Sequence, residues 1–75
     1  MQEPLPILIQ NSIQIAWDFL ERSDEIGDAW VASKVLSDTI EILVGHGERR
    51  KIWLANKAID AYRRFRAERR LELVS

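Results

Sequence analysis

The stretch Gly45-His46-Gly47-Glu48-Arg49-Arg50-Lys51 is the one local pattern in this 75-residue chain whose residue types could do chemistry. A glycine-containing turn that opens a helix exposes unpaired backbone N–H groups. His46, Arg49, Arg50 and Lys51 would add charged donors to a bound anion there. The GxxxxGK(S/T) spacing of a phosphate-cradling loop is missing, and Glu48 sets a negative charge among the donors. A solvated turn between helices is the simpler assignment. Further along, Arg63, Arg64 and Arg70 extend the basic surface and make nucleic acid the alternative partner class.

Other reactive combinations are scarce. His46 is the sole histidine and cysteine is absent, so a metal site would have to be assembled from scattered carboxylates. No metal and no cofactor is expected. No serine has a candidate base nearby, and the paired carboxylates Asp24/Glu25 and Asp38/Glu41 fall on expected surfaces, where solvated charge is the ordinary state. The chain reads as non-enzymatic.

Aromatic placement points instead to contact with another protein. Trp17 lies at the edge of the apolar face of its helix, whereas Trp30 and Trp53 lie outside theirs, and exposed aromatics are enriched at interfaces. Leu8, Ile15 and Phe19 widen the apolar arc of the first helix beyond what one packed neighbour requires. These six residues are the expected interaction surface, and self-association into a homodimer is the expected use.

The elements that must position them are helices. At about 100° per residue, apolar side chains trace arcs over residues 7–22, 28–44 and 48–72. Pro6 suits a first helical turn, Asp28 is an N-cap type, and Gly45 is expected in the left-handed conformation just past the second helix. Ile42 belongs to the expected face of the second helix and Ile52 to that of the third. Two short connections make neighbours antiparallel, and the expected architecture is an all-α, up-down-up three-helix bundle, a single domain with a tail at 1–5 and fraying at 73–75.

Composition agrees with a folded chain: 47% hydrophobic and 31% charged. With no basic leader and no apolar run of about 20 residues, a cytoplasmic protein without a membrane span is expected. Charge is divided unevenly. Residues 1–47 hold eight acids and two bases, whereas residues 48–75 hold four acids and nine bases. Such polarity can mark a nucleic-acid-binding element. The bases are scattered round the third helix, however, and the fold carries them towards acids of the other two. Arg63, Arg64, Arg66, Arg69 and Arg70 are expected near Asp18, Glu21, Asp24, Glu25 and Asp28, and Arg49, Arg50 and Lys51 near Asp38 and Glu41. Arg66 and Arg69 are anomalous, since they stand where the apolar arc should continue.

Overall fold

The computed structural model describes residues 3–74 and contains three helices: α1 (Leu5–Arg22), α2 (Ala29–Gly45) and α3 (Lys51–Val74). Each packs against both others, as an all-α three-helix bundle. Met1, Gln2 and Ser75, parts of the expected tail and frayed end, lie outside the described residues.

Each helix boundary has a local cause. Helix α1 starts two residues earlier than expected, on Pro4, with the Leu8 N–H donating to the Pro4 carbonyl at 2.9 Å. Proline is tolerated there because the first N–H groups of a helix have no intrahelical acceptor. Asp28 caps α2 through a hydrogen bond from the Val31 N–H at 3.1 Å. Helix α3 starts at Lys51, not Glu48. The Glu48 carboxylate accepts the backbone N–H groups of Arg49 and Arg50, both at 3.0 Å, from outside the helix. Gly45 closes α2 as a helical residue, and the left-handed position is Gly47, at φ +100°.

Burial follows a strict four-residue interval on α1 and α2. Leu8, Ser12, Ala16 and Leu20 are buried on the first, and Ala32, Leu36, Ile40 and Val44 on the second. Leu54, Ala55, Ala58, Ile59 and Tyr62 complete the core from α3. Rows at i, i+4 are the ridges that interlock between helices, and alanines in them bring backbones close. Ser12 needs no partner from outside, because its hydroxyl donates to the Leu8 carbonyl at 2.8 Å.

The four-residue interval explains where the broader expected faces fail. Trp30, Ile42 and Ile52 each stand two positions from a buried residue (Ala32, Ile40 and Leu54), about 200° round the helix. All three point outward, at 73%, 59% and 61% exposure. For Ile42 and Ile52 this corrects the expected core assignment. Leu8 is corrected in the opposite sense. It is 4% exposed, begins the buried row of α1, and cannot belong to an outer contact surface. The wide arc of α1 has a plain cause, since α1 packs against two helices.

Helix α3 has 24 residues against 18 and 17 in its neighbours. At ~1.5 Å per residue it is longer by roughly two turns. Its last core contact is Phe65, and Ala67 to Glu72 are exposed.

Candidate interaction surface

The expected anion-binding residues fall into two groups, one at the α2–α3 turn and the start of α3 and one on its second half beside the α1–α2 turn. Lys51 and Arg63 are separated by about 18 Å of helix. At the α2–α3 end each cation has an acceptor of its own. Arg49 donates to the Val44 carbonyl at 2.8 Å, a second donor to a carbonyl that already accepts the Gly47 N–H at 3.0 Å. Arg50 pairs with Glu48 at 2.9 Å, and Lys51 pairs with Glu3 at 2.7 Å. His46 is exposed in the turn. Asp38 and Glu41 do not receive these bases. Asp38 pairs with Lys34 along α2, while the parallel packing of α1 and α3 brings Glu3 to Lys51. Among the described residues, no group of three or more His, Cys, Asp and Glu could hold a metal ion.

At the other end, Arg63 makes a two-point contact with Glu25, at 2.9 and 2.8 Å, and its guanidinium lies over the Phe19 ring, 5.3 Å from the centroid. Arg66 donates to the Glu25 carbonyl at 2.5 Å. The Tyr62 hydroxyl donates to the Ile26 carbonyl. Two side chains of α3 thus satisfy consecutive carbonyls of the α1–α2 turn. Burial pushes the Tyr62 hydroxyl upward from its ordinary range, which keeps it a neutral donor. The turn reaches this shape through left-handed Asp24 (φ +57°) and Gly27 (φ +62°). A Cβ on Gly27 would stand 3.4 Å from the Arg66 guanidinium, so the glycine serves both backbone and neighbour. Of the residues expected here, Arg64 and Arg70 are exposed, and Arg69 lies over the Phe65 ring at 6.0 Å.

These contacts set an acid limit. The Arg63 guanidinium, helped by the Ser23 hydroxyl, holds the Glu25 carboxyl at about 2. Arg50 and the backbone N–H groups of Arg50 and Arg49 hold Glu48 at about 2. A carboxyl whose folded pKa is depressed contributes stability above its unfolded value, and that contribution is lost as pH falls through the folded one. Urea midpoints should therefore decline as pH is lowered from about 4.5 to 2. Arg63→Gln should flatten part of that decline. An identical slope in the variant would show that Glu25 has no share in it.

The tryptophans divide. Trp17 and Trp53 are half-buried and pack against the core, as Ile15 does. Trp53 is further covered by Arg50 and Lys57, whose charged groups lie 5.1 and 5.4 Å from its ring centroid. Trp30, at 73% exposure, remains open, and Phe19, at 45%, has one face under Arg63 and the rest exposed. Ile52 was missed as a surface residue. On α3 it lies 11 positions before Arg63, about 20° from it round the axis, so its stripe ends where Arg63 meets Phe19. Ile52 and Arg63 thus lie on one side of α3 but about 16 Å apart along its axis, while Ile15 and Phe19 line one surface hollow of α1 at the Arg63 end. The periodicity of α3 alone could have shown this only with the buried row already known. No helix among the described residues is long and apolar enough to cross a membrane. Comparison with protein-family models, with curated proteins and with solved structures finds no match to this chain.

Proposed function

We propose that this protein is a small non-enzymatic helical interaction module of the cytoplasm that self-associates through the outer α1–α3 side, centred on Ile15, Phe19 and Ile52. The observation that carries this is the exposure of two large apolar side chains, Phe19 at 45% and Ile52 at 61%, with half-buried Ile15 adjoining Phe19. A 75-residue chain buries only about 60% of its unfolded surface, so covering these side chains with a second copy adds to a small core. Arg63, already bound to Glu25, would form a polar edge to that contact. Nucleic acid draws less support as a partner. Arg49, Arg50, Lys51 and Arg63 have acceptors within the chain, and the bases sit in two separate groups rather than along one track.

Size-exclusion chromatography with light scattering tests the proposal. The wild type should run at twice the chain mass at micromolar concentration, and Phe19→Lys/Ile52→Lys should run as a folded monomer. A monomeric wild type up to about 0.5 mM would sink it, because specific dimers of ordinary size associate well below that.

A further inference from the structure

Between the start of α2 and the far half of α3 runs an open groove of about 300 Å³. Its floor is apolar, formed by half-buried Val31 and Phe65 with the edge of buried Tyr62. Its α3 rim carries Arg66, Arg69 and Arg70. These three are not equivalent. Arg66 is anchored on the Glu25 carbonyl and lies 5.9 Å over the Tyr62 ring. Arg69 rests over Phe65, and Arg70 is exposed. Guanidinium groups on aromatic faces keep their in-plane N–H donors free for a planar acceptor. The one acid in the lining, Asp28, stands on the α2 side and is engaged in capping that helix.

We propose that this groove binds a short acidic segment of a partner protein, with one apolar side chain of that segment on Val31 and Phe65 and its carboxylates on Arg69 and Arg70. The volume lies at the lower limit of small-molecule sites, about 300–1,000 Å³, and suits one or two side chains rather than a large cofactor. Charge decides between the remaining occupants. A nucleic-acid strand needs several convergent bases along its path. Here Asp28 lines this groove, Asp24 and Glu25 line the hollow on its Arg70 side, and Glu68 and Glu72 line the hollow on its Arg69 side, so a continuous polyanion would cross carboxylates on leaving Arg69 and Arg70 in either direction. A short peptide need not. Asp28 fixes its polarity, because acidic groups are repelled from the α2 side and drawn to the groove-facing edge of Arg69 and Arg70, where paired guanidinium–carboxylate contacts are available and which Glu68 and Glu72 bound on the far side. This site lies on the α2–α3 side and does not depend on self-association through α1 and α3.

Fluorescence anisotropy with the labelled octapeptide Glu-Asp-Glu-Leu-Phe-Glu-Asp-Glu provides the test. Saturable binding is expected, and replacing Leu-Phe by Ala-Ala in the peptide should weaken it at least about tenfold. The charge-reversed protein Arg69→Glu/Arg70→Glu, both substitutions on exposed side chains, should lose binding while keeping wild-type helicity by circular dichroism. Amide shift changes should map to residues 28–31 and 62–70. The proposal is overturned by any of three results: no saturable binding up to about 1 mM peptide, equal affinity for the Ala-Ala peptide, or tighter binding of oligothymidylate than of the octapeptide. Loss of helicity in the reversed protein leaves the Ala-Ala comparison and the shift map to decide.

Discussion

Tyr62→Ala should lower the unfolding free energy by about 3–5 kcal/mol at 25 °C and shift the urea midpoint down accordingly. Tyr62 is the largest fully buried side chain, at 1% exposure, and truncating a buried aromatic typically costs about 3–5 kcal/mol. A domain of this length has about 4–11 kcal/mol in total. The substitution also removes the donor to the Ile26 carbonyl, so α3 loses one of the three side chains that bond it to the α1–α2 turn, leaving Arg63 and Arg66 on Glu25. Tyr62→Phe separates these effects. It keeps the ring and deletes the hydroxyl, and it should cost about 1 kcal/mol, the net worth of one hydrogen bond. Urea unfolding followed by circular dichroism reads both. A cooperative Tyr62→Ala transition with a midpoint near wild type would mean that the ring is not a core element.

The second large effect is a contrast within α2. Leu36→Ala should lose about 2–5 kcal/mol, because Leu36 is fully buried and its removal leaves a cavity among three helices. Ile42→Ala should change stability by no more than about 0.5 kcal/mol, since a surface truncation removes few contacts. Both side chains are large and aliphatic, and both belong to one apolar face by simple counting. Equal losses at the two positions would contradict the four-residue burial interval.

That contrast shows where sequence reasoning was sufficient. Helix number, order and approximate limits follow from periodicity with Asp28 and the glycines, because these are local properties of the chain. Which part of a wide apolar arc turns inward is not local. Leu8 and Ile52 exchanged places relative to expectation because the inward line depends on where two neighbouring helices lie. The charges were legible in kind more than in detail. Arg63 met Glu25 at the expected end, whereas Lys51 met Glu3 in place of Asp38 or Glu41. The start of α3 escaped because a glutamate reaching its own turn's N–H groups resembles an ordinary first-turn acid in sequence. Arg66 and Arg69 did signal the groove, as cations on the continuation of an apolar stripe. Their aromatic supports, Tyr62 and Phe65, became visible only in three dimensions.

The extra length of α3 has a consequence for local opening. Residues 67–72 are exposed and touch the core only where Arg69 rests over Phe65, so their helical hydrogen bonds can break without disturbing Leu54, Ala58 or Tyr62. Opening of that segment is governed by helix–coil propensity, and its amides exchange with solvent through fluctuations far cheaper than global unfolding. Arg69 and Arg70 therefore ride on a segment whose order is set almost independently of the bundle that carries it. The floor of the arginine groove, at Val31 and Tyr62, belongs to the packed bundle, whereas Arg69 and Arg70 stand on a short helix tip whose order responds to temperature and to whatever binds along it.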